Sequence, residues 1–174
     1  MEDDRDMKIV GDGLNLEESE ERDLTSDLRN KHTLNGNLDR AKRFGGLLAG
    51  WIAAAGDDKQ LKILLTFAAG VGVRKALPED MVRQTAAAAF YETLESAEPE
   101  FYRELQESGA FSFYALCVRE EAGSAARVGE TYASLCKAER TGDAKRRAAA
   151  GAKLYADFVE KVYNTANEIG FIRE

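Results

Sequence analysis

The sequence predicts an all-α fold, an irregular bundle of about six or seven helices that follows an acidic N-terminal arm. Apolar residues recur every three or four positions from residue 38 onward, which is the period of an amphipathic helix. Capping and helix-breaking residues separate these segments from one another. The chain has only two prolines in 174 residues, so few positions obstruct a long helix.

Residues 1–37 are predicted to form a mobile or docked acidic arm, and residues 38–174 a single helical domain. Residues 1–30 contain 11 acidic and four basic side chains, a balance of −7 that equals the net charge of the whole chain. The apolar residues between Leu16 and Asn30 are too sparse for a core stripe. The turn signal at residues 35–37, Asn-Gly-Asn, closes the arm.

The first two helices of the domain are predicted to pair with each other. Asn37 is the expected N-cap of a helix that ends at Gly56, and Asp57 or Asp58 is the expected cap of the next. Because the link is short, we expect an antiparallel hairpin at the centre of the core. Small residues are expected to allow close helix approach in this hairpin, namely Gly46, Gly50, Gly70 and Gly72.

Two prolines predict the starts of the next two helices. Pro78 and Pro99 each suit the first helical position, where the missing N–H has no partner to lose. The second of these helices is expected to end at Ser108 and Gly109.

The segment 111–118 is apolar on nearly every side, so periodicity alone does not separate a strand from a helix. Because no second strand is available to pair with it, we predict a helix that is the most buried stretch of the protein. Gly123 and Gly129 are expected to interrupt the run to Glu139, giving two helices or one bent helix. The last helix is predicted from Asp143 to Gly170.

Charge and composition narrow the functional classes. A net charge of −7 makes nucleic acid an unlikely partner of the molecule as a whole. Each apolar arm of the predicted hairpin covers about 20 Å as a helix, against about 30 Å of hydrocarbon, so no membrane span is expected. Cys117 and Cys136 are the only two cysteines and show no CxxC or Cys/His spacing, and the N-terminus lacks an apolar leader. These features predict reduced thiols and a cytoplasmic location.

No catalytic pattern is present in the sequence. His32 is the single histidine, which argues against a histidine-ligated metal cluster, a haem on a core histidine and a Ser-His-Asp triad. No glycine-rich phosphate loop occurs either. We therefore predict no cofactor and favour a role without catalysis, although the abundant carboxylates leave an enzyme open.

Two groups of candidate site residues remain. Five aromatic residues could line a small-molecule pocket, because such side chains combine an apolar body with a polar handle: Trp51, Tyr91, Tyr102, Tyr114 and Tyr155. Five basic residues could contact an anion, or the acidic arm of the same or a neighbouring chain: Lys137, Arg140, Lys145, Arg146 and Arg147.

These features predict an intracellular binding protein that presents helical faces and its acidic arm to a protein partner. The alanine-rich faces at residues 86–89 and 148–152 suit helix association, so a homodimer is also expected. The alternative function is that of a small-molecule sensor, a helical domain with an apolar cavity lined by the aromatic candidates.

Overall fold

The computed structural model describes residues 24–31, 33, 35–77, 79–137 and 141–173. Within these ranges the regular structure is helical throughout and contains no strand, so the predicted all-α class is confirmed. The helices are α1 (residues 24–31), α2 (Asn37–Ala53), α3 (Lys59–Ala76), α4 (Asp80–Ala97), α5 (Pro99–Glu107), α6 (Ala110–Cys117), α7 (Ser124–Leu135) and α8 (Thr141–Ile169). None of these helices is both long and apolar enough to cross a membrane.

Part of the predicted arm lies outside the described residues, namely residues 1–23, His32 and Leu34. Helix α1 falls within the predicted arm. Its residues 24–30 are exposed, including Leu24 and Leu28. The helix therefore contributes no residue to the hydrophobic core.

Several helix ends follow the predicted local chemistry. Asp58 caps α3, and its Oδ1 accepts a hydrogen bond of 3.1 Å from the Leu61 N–H. Pro99 is the first residue of α5. Gly123 precedes α7 and Gly170 follows α8, each with a positive φ that glycine adopts without steric cost.

Other helix boundaries differ from the prediction. Helix α4 begins at Asp80, two residues after Pro78, which lies outside the described residues. Helix α8 begins at Thr141 rather than Asp143. Gly129 does not interrupt α7, which runs without a break from Ser124 to Leu135, so this part of the prediction is wrong.

Asn37 is not the N-cap of α2, because Gly36 occupies that position with a φ of 77°. The Asn37 side chain instead holds the C-terminal segment. Its Nδ2 donates to the Ile172 carbonyl oxygen at 2.9 Å, and its Oδ1 accepts from the Ile172 N–H at 3.0 Å. Phe171 packs its ring against Phe44 of α2 in the same region. The C-terminal segment therefore closes over the start of the domain.

The helices pack in pairs that differ from the predicted hairpin. Helix α2 lies mainly along α4, while α3 and α7 both lie along α8, and α2 meets α3 at only a few positions. The expectation that the first two helices pack along each other is therefore wrong. The link between α2 and α3 is short, as predicted, but it does not determine which helix covers the apolar face of each.

Glycines mark the three principal helix contacts. A Cβ at Gly45 would overlap the Ala86 carbonyl oxygen of α4, and a Cβ at Gly129 would overlap the Ala148 carbonyl oxygen of α8. A Cβ at Gly72 would lie 2.6 Å from Val162 Cγ1, also too close. At Gly45 and Gly129 one backbone thus lies against the other, and at Gly72 the α3 backbone lies against the Val162 side chain, with no room for a methyl group at any of the three.

Only one of the four glycines predicted to allow close approach does so. Gly72 does allow close approach, but to α8 rather than to its predicted hairpin partner, whereas Gly50 and Gly70 have open space where a Cβ would stand. Gly46 has only the Thr93 hydroxyl, at 3.9 Å. The prediction was wrong at these three positions because neighbouring residues on a helix point about 100° apart, and Gly45 is the residue that faces α4.

The most buried helix is α3, with twelve of its 18 residues buried. Residues 111–118 were expected to be the most buried stretch, and this is wrong. Helix α6 buries Ala110, Tyr114 and Cys117, but Phe113 is 56% exposed and Leu116 is 55% exposed. A helix of eight residues that packs through one side leaves its other side uncovered, even where both sides are apolar.

The glycine contacts predict opposite effects of two alanine substitutions within α2. Gly45→Ala should lower the free energy of unfolding by about 2 kcal/mol, because the new methyl group meets the backbone of α4. Gly50→Ala should raise it by up to about 1 kcal/mol, because the site is open and alanine favours the helix. Urea unfolding of both variants measures the difference, and equal midpoints would show that α2 and α4 are not in backbone contact.

Candidate functional site

The first candidate site is a groove between α4, α5 and α6 with a volume of about 410 Å³. Tyr91 of α4 and Tyr102 of α5 line it, with ring centroids 6.4 Å apart. Burial raises the pKa of the Tyr91 hydroxyl, the neighbouring Tyr102 adds to the rise, and Arg74 opposes it. Phe111 and Ser112 at the start of α6 form another part of the wall. The structure thus brings two of the five aromatic candidates together.

The exposed side of α6 continues this groove. Ser112 belongs both to the wall and to the uncovered face of the helix. Phe113 and Leu116 lie three residues apart on that face, so their side chains are neighbours on the helix surface. We call the groove together with these two side chains the α5–α6 surface.

Ion pairs attach α5 to α3 behind this surface. Lys62 is buried within α3, and its Nζ lies 3.3 Å from Glu98 Oε2 and 5.5 Å from the centre of the Phe101 ring. Lys59 Nζ lies 3.0 Å from Glu104 Oε2. Because Lys62 is buried, loss of its carboxylate partner would leave a poorly solvated charge. These contacts hold α5 where Tyr102 can face Tyr91.

The α5–α6 surface lies in an acidic part of the chain. Residues 92–121 contain eight glutamates and two arginines, a net charge of −6. The lysines of α3 compensate Glu98 and Glu104, whereas Glu95, Glu107 and Glu120 are exposed. A positively charged partner would therefore be attracted to this region.

Arg127 of α7 supports the segment that follows α6. Its guanidinium donates to three backbone carbonyl oxygens, those of Cys117 at 3.0 Å, Ala122 at 2.9 Å and Glu120 at 2.7 Å. The segment 118–123 has no helical hydrogen bonds of its own to hold it. Sequence reasoning did not find this role, because the three acceptors are backbone atoms that leave no sequence pattern.

Tyr155 lines a second groove, of about 420 Å³, between α3, α7 and α8. Trp51 lies at neither groove. Its ring packs edge-on against Phe158 at 6.0 Å, and Lys161 Nζ lies 3.8 Å from the ring centre. Tyr114 is fully buried in the core. The five aromatic candidates therefore do not line one cavity. Tyr91 and Tyr102 lie at the first groove, Tyr155 at the second, Trp51 in its contact with Phe158 and Lys161, and Tyr114 in the core.

The Tyr114 hydroxyl has no hydrogen-bond partner among the described residues. Its ring lies 5.3 Å from the Phe67 ring. Burial raises the pKa of Tyr114 far above its usual value, and the nearby cysteines and Tyr132 add to the rise. Cys117 and Cys136 carry free thiols, and Cys117 Sγ lies 3.2 Å from Thr131 Oγ1.

The predicted basic group is spread over the start of α8 and the preceding turn. Lys137 follows α7 and is exposed, while Arg140 lies outside the described residues. Lys145, Arg146 and Arg147 are exposed on α8, and consecutive positions there point about 100° apart. The Arg146 guanidinium nitrogen Nη2 lies 3.7 Å from Oδ1 of Asp143 in the same helix. The three side chains thus point in different directions, and their contact with an anion or the arm stays a prediction.

Comparison of the chain with protein-family models, with curated proteins and with solved structures found no match. The function must therefore be argued from the residues of the sites themselves.

The Arg127 hydrogen bonds predict a local effect on dynamics. Arg127→Met should accelerate hydrogen exchange of the Ser124 amide, which donates to the Glu121 carbonyl oxygen, by about tenfold or more, because the three carbonyl contacts that position the segment are lost together. Arg83→Met is the control, since among the residues that the structure describes the Arg83 side chain pairs with Asp80 alone, on the surface of α4. Exchange rates that change equally in both variants would contradict the supporting role of Arg127.

The unpartnered hydroxyl predicts a stabilising substitution. Tyr114→Phe should raise the free energy of unfolding by about 1 kcal/mol, because it removes a buried polar group that has no partner and keeps the ring. Tyr102→Phe, in the open groove, should change it by less than about 0.5 kcal/mol. Thermal unfolding measures both, and a less stable Tyr114→Phe variant would show that the hydroxyl is hydrogen-bonded.

Proposed function

We propose that this protein is a non-catalytic interaction module whose α5–α6 surface binds a basic amphipathic helix of a protein partner. The observation that carries the proposal is the exposure of Phe113 and Leu116, two large apolar side chains side by side on α6. A patch of this kind next to a groove is typical of protein interaction sites.

Burial of these side chains supplies a favourable free energy for binding. Full burial of a leucine or phenylalanine side chain contributes about 1.5–3 kcal/mol, and roughly half of each surface is still exposed here. An apolar residue of the partner that entered the groove between Tyr91 and Tyr102 would add an anchor. This arrangement of a ridge beside a pocket suits a helix with apolar residues at positions i, i+3 and i+4.

The charge of the surroundings selects a basic partner. Of the net charge of −6 over residues 92–121, α5 itself carries −2 and α6 none, while the rest lies at the end of α4 and in the segment after α6, on either side of the surface. Lysine or arginine side chains on the polar face of a bound helix would meet these glutamates, while an acidic helix would be repelled. Such steering acts mainly on the association rate and weakens as salt is added.

Self-association through the alanine-rich faces has less support, because the structure uses these faces within one chain. Ala86 and Ala89 contact α2 at Gly45, and Ala148 and Ala152 contact α7 at Gly129. Part of each face stays exposed, including Ala88, Ala149 and Ala150, so the homodimer stays a prediction with a smaller surface than the sequence suggested. The acidic arm as a second binding element stays part of the proposal, on the charge of residues 1–30 alone.

The test uses two designed helical peptides, one of leucine and lysine and one of leucine and glutamate, with the same apolar pattern. We expect the lysine peptide to bind the full-length protein at least about tenfold more tightly than the glutamate peptide, measured by fluorescence anisotropy. Phe113→Ser combined with Leu116→Ser should weaken binding of the lysine peptide by about tenfold or more. Leu47→Ser is the matched control, since Leu47 is 42% exposed on α2, outside the surface.

Two results would contradict the proposal. Equal affinity for the two peptides would remove the role of charge, and binding that survives the double substitution would place the interaction elsewhere. Light scattering of the same variants reveals whether a second copy covers the surface instead. A dimer that the double substitution converts to a monomer would replace the proposed partner with the protein itself.

A further inference from the structure

The groove at Tyr155 has the features of a ligand site. It is separate from the α5–α6 surface and takes no part in the proposed binding of a partner helix. Its inner half, of about 250 Å³, lies between the end of α3 and the segment 118–124, and its outer half runs along α8. Lys75, Ser124 and Tyr155 line both halves, so the two are continuous. We call the whole the Tyr155 groove.

Tyr155 itself is the first sign of a missing partner. The residue is only 5% exposed, and its hydroxyl makes no hydrogen bond within the described part of the chain. Arg74, which lines the same groove, partly offsets the rise that burial causes in the Tyr155 pKa. The hydroxyl therefore lies within electrostatic reach of the guanidinium. The hydroxyl is not among the buried polar atoms without a partner, so it is open to the groove and free to bond a ligand there.

Two cations of α3 also have unused donors at this groove. Arg74 and Lys75 form neither an ion pair nor a hydrogen bond with any residue that the structure describes. Cations in the last turn of a helix often serve its carbonyl groups. At the end of α3 other groups serve these carbonyl groups. Arg173 donates to the Ala76 carbonyl oxygen at 3.2 Å, and the Leu77 N–H donates to the Val73 carbonyl oxygen at 2.9 Å. The side chains of Arg74 and Lys75 are thus available to a ligand.

The N-terminus of α7 opens at the same place. Gly123 precedes the helix and supplies no side-chain cap, and the first turn contains no acidic residue. The Ser124 N–H donates to the Glu121 carbonyl oxygen at 3.3 Å, whereas the next N–H groups of the first turn have no acceptor within the helix, and the positive end of the helix dipole favours a negative group nearby. Ser124, the first residue of α7, adds a hydroxyl to the groove wall.

The acidic residues of the groove define the charge of the ligand. Arg74, Lys75 and Glu121 line the inner half, a local balance of +1, and Glu160 of the outer half brings the groove as a whole to zero. In the outer half, Glu160 stands among apolar residues, including Val159 and Tyr163. A group with a single negative charge therefore suits the inner half, and an apolar body suits the outer half.

We propose that the Tyr155 groove binds a small monocarboxylic acid with an apolar or aromatic body. The carboxylate would accept hydrogen bonds from Arg74, the Ser124 and Tyr155 hydroxyls and the Ala125 N–H, with Lys75 as a second cation beside it. The body would lie against Val159 and Tyr163. Charge-assisted bonds of this kind distinguish a carboxylate from a neutral group of the same shape.

The test compares three probes that differ only in the charge of the head group: 3-phenylpropionate, 3-phenylpropanamide and 3-phenylpropylamine. Each is titrated into the full-length protein, and amide shifts of Ala125 and Ala126 are followed by NMR. We expect 3-phenylpropionate to bind at least about tenfold more tightly than the amide, and the amine to bind most weakly. Arg74→Gln should reduce the preference for the carboxylate to about twofold or less.

Tyr155→Phe keeps the ring and removes the hydroxyl. It should therefore weaken the binding of 3-phenylpropionate by about threefold or more without unfolding the protein. Arg83→Gln, which removes a cation outside the groove, should leave all three affinities unchanged. Equal binding of the carboxylate and the amide, tighter binding of the amine, or shifts confined to the α5–α6 surface would each overturn the proposal. Thermal unfolding of the variants excludes a general loss of structure as the cause.

Discussion

The close contact of helix backbones at glycine is the constraint on which the rest of the structure depends. Gly45 brings α2 against α4, Gly72 brings α3 against α8, and Gly129 brings α7 against α8. Gly151 supports the last contact from the other side, where it meets the ring of Tyr132. Because a single added methyl group would separate the backbones, these positions determine which helices pair and in what register.

The arrangement of the functional surfaces follows from this pairing. Helices α3 and α7 share α8 as a partner, so the two shorter helices α5 and α6 are left at the periphery. One side of α6 covers the core through Tyr114, and the other side exposes Phe113 and Leu116. The grooves form where neighbouring helices diverge, one at Tyr91 between α4, α5 and α6 and one at Tyr155 beside α8.

Several local features were predictable because their chemistry acts within one helical turn. Asp58 caps α3 through the N–H three residues later, and Pro99 begins α5 with a backbone angle that the helix already requires. The role of Asn37 was not predictable in this way. Its partner Ile172 is 135 residues away in the sequence, and no local pattern records a contact of that range.

The sequence by itself determined the all-helical class and several of the helix ends, because periodicity and capping are local properties of the chain. Only the tertiary structure decided that Gly45 rather than Gly46 contacts α4. It also decided that an apolar helix exposes one face, and that Arg74 and Ser124 meet at Tyr155. The physical reason is that these outcomes depend on the relative orientation of helices distant in sequence, which side-chain packing and backbone contact establish together.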